Sequence, residues 1–398
     1  MLETPTRIEP ALFEEQLPEG LVNLAGELGD AARDLGRTLH PQTRAELAGM
    51  VRVLNSYYSN LIEGHNTRPR DIERALKGDL EAVEPAKRSL AIEASIHVRL
   101  QERIDRQADE GTLPDATSVA FLTELHRDFY ADMPDELRVV RGTDGREIMV
   151  EPGKMRSRAE QDVAVGDHLP PSSERVPDFM THFERRYRAP RRSQSRILAM
   201  PAAHHRFNYI HPFPDGNGRV SRLMSHAMAH EARIGAGGLW SISRGLSRGL
   251  RERTEYKRMM AHADTARQGD RDGRGNLSAR ALSEFSDWFL TVALDQVRFV
   301  SELFALDDLE RRIGRLTDRL DLDPRSNRIL SAVLRYGEMP RGEASTVTGA
   351  KERTARDVLG ELTRAGLLTS DGPKKPVRLA FPRDHHEVLF PSLFADGY

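Results

Sequence analysis

The stretch HPFPDGNGRVSR, residues 211–222, brings an imidazole, a carboxylate, a glycine-rich turn and two guanidinium groups close together. Gly216, Asn217 and Gly218 accept positive φ at low cost, so successive backbone N–H groups can point into one concavity. A helix that starts there adds its N-terminal donors and dipole at the same spot. Arg219 and Arg222 stand three apart on one face of that helix. Two guanidinium forks beside an anion nest suit a polyphosphate better than a single carboxylate. Asp215 lies at the mouth of the nest. Magnesium binds through one or two carboxylates plus phosphate oxygens, so Asp215 is the candidate Mg²⁺ ligand. His211, with an ordinary imidazole pKa of about 6.5, is the candidate general base for a hydroxyl proton. Phe213 is the expected apolar anchor of the loop. The bland alternative is a tight turn with a surface histidine and two solvated arginines. The complete set of residues favours phosphate chemistry.

Positioning these groups falls to helices. Leu47, Val51, Leu54, Tyr58 and Leu61 repeat at helical spacing, as do Val119, Leu122, Leu125 and Phe129. The segment from Ser193 through His204 and the run GRVSRLMSHAMAHEARI read the same way. One long helix is expected from about Ser278 to Arg315. Two stretches break the pattern. Residues 139–177, with β-branched residues and paired prolines, read as a loop with a short hairpin around Val163, Ala164 and Val165. Residues 263–276 read as an exposed loop.

With these residues in view, HPFPDGNGRVSR resembles the signature of the Fic family, His-Pro-Phe-x-Asp/Glu-Gly-Asn-Gly-Arg-x-x-Arg, at every fixed position. The resemblance implies an all-α core with a small β-hairpin flap, and transfer of AMP from ATP to a hydroxyl of a target protein. It implies that His211 is the base and that Asp215 holds Mg²⁺. Asn217 and the nest would bind the α-phosphate region, Arg219 the β-phosphate and Arg222 the γ-phosphate. LTELHRDF, VAVGDHLPPSSERVPDFM, GLSRGLRERTEYKRMMAHAD and DWF resemble further family segments, so the likeness spans about residues 20–305. In that comparison Tyr256 and Met259 fall where the family encloses adenine; an ordinary core stripe is the competing reading.

YYSNLIEGHNT, residues 57–67, raises a separate question. Ser59 and Glu63 are i, i+4 on a helix, and Gly64 follows as a C-cap. A glutamate in a last helical turn opposes the dipole, so another group should want its charge. The segment resembles the family's inhibitory motif Ser/Thr-x-x-x-Glu-Gly/Asn. The resemblance implies that Glu63 pairs with Arg222 and takes the place of the γ-phosphate. His65 is expected to be exposed.

The C-terminal part differs in composition. Residues 325–383 hold 12 Lys/Arg against 6 Asp/Glu, a net +6 in a chain of net −2, which leaves −8 elsewhere. Helix, helix, helix and hairpin in that order predict a winged helix-turn-helix domain. Its recognition helix would be Lys351–Arg364, with Lys351, Arg353 and Arg356 on the helix and Lys374 and Lys375 on the wing as candidate DNA contacts. Protein contacts or dimerisation are the alternative use of such a fold.

The expected organisation is an N-terminal helical region carrying the inhibitory motif (1–110), a catalytic core (111–305) and a winged-helix domain (306–398). Absence of cysteine in the 398 residues excludes disulfides, thiol catalysis and cysteine-ligated zinc. No apolar run approaches the roughly 20 residues of a membrane span, and the N-terminus lacks a signal pattern, so a cytoplasmic chain is expected. The leading expectation is an autoinhibited, Mg²⁺-dependent protein adenylyltransferase using ATP, acting on Ser, Thr or Tyr hydroxyls and on itself. The same pocket would be able to remove AMP. A homodimer is what the resemblance favours. The alternatives are a DNA-binding transcriptional regulator whose Fic-like body senses nucleotide, and a phosphotransferase with another donor.

Overall fold

In the computed structural model, which describes residues 3–12, 18–141, 145–188 and 193–394, the stripe Leu47, Val51, Leu54 and Tyr58 is buried along one helix. In chain order the helices are α1 (Glu19–Asp34), α2 (Pro41–Ile62), α3 (Pro69–Leu76), α4 (Arg88–Asp109), α5 (Val119–Ala131), α6 (Val176–Tyr187), α7 (Ser193–Ile210), α8 (Asn217–Glu231), α9 (Ile242–Arg248), α10 (Glu255–Ala263), α11 (Ala279–Leu303), α12 (Leu306–Arg319), α13 (Ser326–Tyr336), α14 (Ala344–Thr348), α15 (Glu352–Arg364) and α16 (His386–Leu389). The chain divides into two compact units, Met1–Arg33 with Arg52–Val297, and Asp34–Val51 with Arg298–Tyr398. Most of the regions expected as 1–110 and 111–305 thus lies in the first unit. Among the described residues no helix is long and apolar enough to cross a membrane.

In the first unit α7 is the central helix. From Ile197 to Ile210 every residue is buried except half-buried Asn208, which is why its sequence shows no polar face. It packs against α6 and α8, and α8 packs in turn on α4 and α5. The loop expected to carry a hairpin holds two small β features. Strands β1 (Val139–Arg141) and β2 (Glu147–Met149) pair antiparallel, Val140 opposite Ile148. Further on, Val165 and His168 form a single antiparallel bridge around Gly166-Asp167.

In the second unit the helix expected to run to Arg315 breaks at Phe304–Ala305. Buried Arg312 reaches back from α12, giving Nη2 to the Leu303 carbonyl and Nε to the Asp308 carbonyl at 3.2 Å. That caps the end of α11, a long-range device that periodicity cannot reveal. Beyond it come α13, strand β3 (Glu338–Met339), α14, α15, and strands β4 (Leu368–Thr369) and β5 (Val377–Leu379). The three strands form one sheet in the order β3-β5-β4. Ala355, Val358, Leu359 and Leu362 of α15 face its core, while Lys351, Arg353 and Arg356 are exposed.

Candidate active site

His211 follows directly on α7 and leaves it with φ 52°. A non-glycine residue in that region costs about 1–3 kcal/mol, so its surroundings must hold it. Arg156 does so. Its fully buried guanidinium donates from Nε to the His211 carbonyl (2.8 Å) and from Nη2 to the Ile210 and Pro171 carbonyls (both 3.1 Å). Nη1 donates to Ser173 Oγ (2.8 Å), and the Arg156 backbone N–H donates to the Pro212 carbonyl (2.8 Å). One side chain therefore ties the His211 turn to Pro171 and Ser173. Burial pushes the His211 imidazole down to about 4, and the Arg156 charge acts in the same direction. The ring is neutral at pH 7, and its pKa is well below the ordinary value expected from sequence.

Gly216 caps α8 with φ 81°. A Cβ there would stand 2.7 Å from the Tyr130 ring, so glycine is required on two counts. Gly218 is already helical, yet a Cβ on it would lie 2.3 Å from Glu63 Oε1. Asn217 is spent within the loop. Its Oδ1 accepts from the Phe213 N–H (2.9 Å) and its Nδ2 donates to the Phe213 carbonyl (2.8 Å). The Asn217 side chain thus shapes the nest and leaves the backbone to line it. Phe213 is buried and stacks on His126 at 3.9 Å between centroids.

Asp215 Oδ2 accepts from the Tyr130 hydroxyl (2.6 Å) and from Arg219 Nη2 (2.9 Å). Burial works to raise its pKa, but the Arg219 charge, the Tyr130 hydrogen bond and the Gly216 N–H hold it below the usual carboxylate value. Its side chain keeps 35% exposure. An ionised, partly open carboxylate beside an anion nest is the donor that Mg²⁺ uses, so the residues present fit that ion. Arg219 also pairs with the buried carboxylate of Glu93 and lies 5.3 Å over the Phe129 ring.

Arg222 is held by α2. Its Nε donates to Ser59 Oγ (2.9 Å), and Nη2 donates to the Ser59 carbonyl (3.1 Å) and to Glu63 Oε1 (2.6 Å). Gly64, with φ 86°, closes α2. The His65 N–H returns to the Asn60 carbonyl (2.9 Å) and the Gly64 N–H to that of Leu61 (3.1 Å), the Schellman pattern. This turn delivers the Glu63 carboxylate onto the first turn of α8. Burial alone would raise the Glu63 pKa, but the charges of Arg222 and then Arg219 keep it lowered. His65 corrects an expectation. It is half-buried, with Nδ1 2.9 Å from Glu93 Oε2, and that contact raises its pKa.

Tyr256 lies in the core, near-parallel to Trp288. Its hydroxyl is 2.8 Å from His204 Nε2, and burial pushes its pKa up to about 12 against the opposing charge of Arg222. Met259, on the same helix, is half-buried. Val163 is half-buried, while Ala164 and Val165 are exposed. The bridge at Val165 is anchored through His168, whose Nε2 lies 2.8 Å from the Tyr209 carbonyl and Nδ1 3.3 Å from Asp264 Oδ2. Lys374 and Lys375 are exposed in the turn between β4 and β5, in the second unit.

The sequence reading missed Arg156, Glu93, Tyr130 and His126. Tyr130 and His126 share a face of α5 at i, i+4, a spacing open to inspection. Glu93 belongs to a stripe of buried polar residues on α4, Glu93, His97, Gln101 and Asp105, each four apart. That repeat is visible as a polar seam on an otherwise core-facing helix. Arg156 sits in a loop with no periodicity, and nothing in the sequence marks it.

A neutral imidazole, an ionised aspartate and a helix N-terminus flanked by two arginines coincide with one matched segment. Residues 116–229 match the Fic/DOC family. The chain carries a Fic domain. It is 31% identical over 115 residues to the protein adenylyltransferase Fic of Aedes aegypti, covering 28% of this chain and 22% of that protein. The Culex quinquefasciatus protein of the same name is 32% identical over 111 residues, again 28% of this chain and 22% of the relative. The chain thus spans about a fifth of the length of the curated relatives it matches. A Fic family protein from Desulfovibrio desulfuricans G20 shares the fold, with TM-score 0.52 and 18% identity over 92% of this chain and 98% of that one. The Fic segment contains α5 to most of α8; Glu63 and Glu93 lie outside it.

Proposed function

We propose that the chain is a protein adenylyltransferase that moves AMP from ATP to a Ser, Thr or Tyr hydroxyl, and that Glu63 holds it inactive. The observation that carries the transferase reading is a neutral His211 imidazole fixed beside the α8 N-terminus, where a nucleotide's phosphates would rest. In the proposed step the target hydroxyl oxygen bonds to the α-phosphorus. The bond from that phosphorus to the bridging oxygen breaks, pyrophosphate leaves, and the hydroxyl proton passes to His211. The backbone of Gly216–Gly218 would cradle the α-phosphate region, Arg219 the β-phosphate and Arg222 the γ-phosphate. Asp215 would hold Mg²⁺, which supplies charge neutralisation on the phosphates. Val163–Val165 would position the target's side chain. Tyr256 would support the site from the core through its hydroxyl's contact with His204, and Met259 is the residue left to meet adenine. Incubation with ATP labelled at the α-phosphate, with and without Mg²⁺, tests this reading. AMP incorporation into the chain itself or a lysate protein is the expected result, and absence of any label from the Glu63→Gly variant would overturn it.

The C-terminal elements favour a second activity on the same chain. Three helices, a three-stranded sheet and exposed Lys351, Arg353, Arg356, Lys374 and Lys375 support a winged helix that meets DNA.

A further inference from the structure

One polar cluster lies outside the chemistry proposed above. His226 and His230 are i, i+4 on α8, and both aim Nε2 at the same carboxylate oxygen. Nε2 of His226 lies 2.6 Å, and Nε2 of His230 3.0 Å, from Asp105 Oδ1. The three ligand atoms all fall within 4.8 Å of one another. We propose that Asp105, His226 and His230 bind a divalent transition-metal ion, with Zn²⁺ as the first choice.

The donor set argues for that class. Two imidazole nitrogens and one carboxylate oxygen suit Zn²⁺ and its first-row neighbours, whereas Mg²⁺ and Ca²⁺ prefer oxygen alone. Ligand atoms at about 2.0–2.2 Å from a tetrahedral ion stand about 3.3 Å apart, so the site needs to open by a fraction of an ångström. An i, i+4 pair on one helix supplies two ligands without a loop. The surroundings orient the third. Arg52 Nη1 donates to the other carboxylate oxygen, Asp105 Oδ2, at 3.0 Å, and so leaves Oδ1 for the histidines.

The loop after α8 leaves room at this point. Gly238 has φ 78°, and a Cβ on it would stand 2.8 Å from Asp105 Oδ2. A Cβ on Gly235 would stand 2.6 Å from His230 Nδ1. Both glycines let backbone approach the cluster where any side chain would fill it. The seam between α4 and α8 also holds polar atoms that lack protein partners, Gln101 Nε2 and both ring nitrogens of His97. An ion at Asp105 would clamp α4 to α8 at the far end of the seam from the Glu93–Arg219 pair. It would be a structural brace, separate from the Mg²⁺ expected at Asp215.

The test uses the 398-residue chain without a histidine tag, stripped by chelator. Added Zn²⁺ should bind at one equivalent and raise Tm by at least about 3 °C. Co²⁺ should bind in its place and give visible d–d absorption of a tetrahedral or five-coordinate ion. The double variant His226→Gln/His230→Gln should lose both signals, and Asp105→Asn should weaken binding at least about tenfold. If wild type neither binds Zn²⁺ at one equivalent nor colours with Co²⁺, the cluster is a hydrogen-bonded triad and the proposal fails. It fails equally if the double variant keeps the Co²⁺ spectrum. The wild-type spectrum decides the matter even where a variant folds poorly.

Discussion

Glu63 Oε1 lies 2.6 Å from Arg222 Nη2, although the two residues are 159 positions apart in sequence. The carboxylate rests on the first turn of α8, close enough to Gly218 that no Cβ would fit between them. A glutamate at the end of α2 is placed against its own helix dipole; it is compensated by the opposite end of another helix and by a guanidinium. An incoming phosphate would seek the same two partners. One guanidinium cannot hold the carboxylate and a γ-phosphate in the same place.

Replacing Glu63 by Gly should therefore switch AMP transfer on. With Arg222 engaged, the triphosphate tail has to bind displaced, and a misplacement of about 1 Å at the reacting centre can cost 10²-fold in rate. Initial rates of label incorporation should rise at least about tenfold in Glu63→Gly. The double variant Glu63→Gly/Arg222→Ala should lose most of that gain. A single variant that binds ATP and stays as slow as wild type would reduce Glu63 to a structural carboxylate.

His211→Ala should leave ATP binding near wild type and lower transfer by about 10²–10⁴. The pH dependence follows from the lowered imidazole pKa of about 4. A base works in its neutral form, so the free enzyme keeps His211 competent down to about pH 5 and loses it as pH falls through about 4. Measured as kcat/KM on Glu63→Gly, the rate should show no His211 limb between pH 6 and 8. An acid limb near 6.5 that disappears in His211→Ala would mean the ring is solvated and not held as described.

Arg156→Lys should lower kcat by about 10–10² with KM for ATP little changed. Lysine keeps the charge but cannot reach the His211, Ile210 and Pro171 carbonyls and Ser173 Oγ at once. The positive φ of His211 then loses its support, and the imidazole drifts from the attacking hydroxyl. Because the Arg156 charge also helps depress the imidazole pKa, the acid limb should stay near its place in Arg156→Lys, which keeps a charge, and move to higher pH in Arg156→Met. Equal kcat losses accompanied by equal KM losses in both variants would assign Arg156 to general folding.

How much of this was open to a reader of the sequence depends on the distance over which each group acts. The His211–Arg222 loop was legible because its imidazole, carboxylate, glycines and arginines are contiguous, and the turn imposes their convergence. The Ser59-Glu63-Gly64 turn was legible for the same local reason. Arg156 was not, since its partners lie 15–17 and 54–56 positions away and a loop arginine has no period to betray it. The end of α11 was misplaced because the apolar repeat continues into α12; the break depends on Arg312 reaching a carbonyl nine residues back. Tyr256 shows a third kind of limit. Its ring packs in the core beside Trp288 and its hydroxyl lies 2.8 Å from His204 Nε2, a placement that the spacing of Tyr256 and Met259 cannot separate from a face turned to a nucleotide.

The exposed face of α15 leads to the last expectation, that the chain binds duplex DNA through its C-terminal unit. Ala355, Val358, Leu359 and Leu362 bury one side of that helix, which turns Lys351, Arg353 and Arg356 outward. Arg378 cannot join them freely, because it makes a bidentate pair with Asp371 at 2.6 and 2.7 Å. The wing is then left to Lys374 and Lys375. Each phosphate contact contributes about 0.9 to the slope of log K against log salt. Gel-shift titrations of the whole chain on a mixed-sequence duplex between about 50 and 200 mM salt should give a slope of about −3 to −5. Lys351→Ala/Arg353→Ala/Arg356→Ala should flatten that slope by about 3, and Lys374→Ala/Lys375→Ala by about 2. Glu63→Gly should leave it unchanged, since no residue of the DNA face lies near α8 in sequence or in its unit. No shift at 50 mM salt, or an unchanged slope in the triple variant, would assign this module to protein contacts instead.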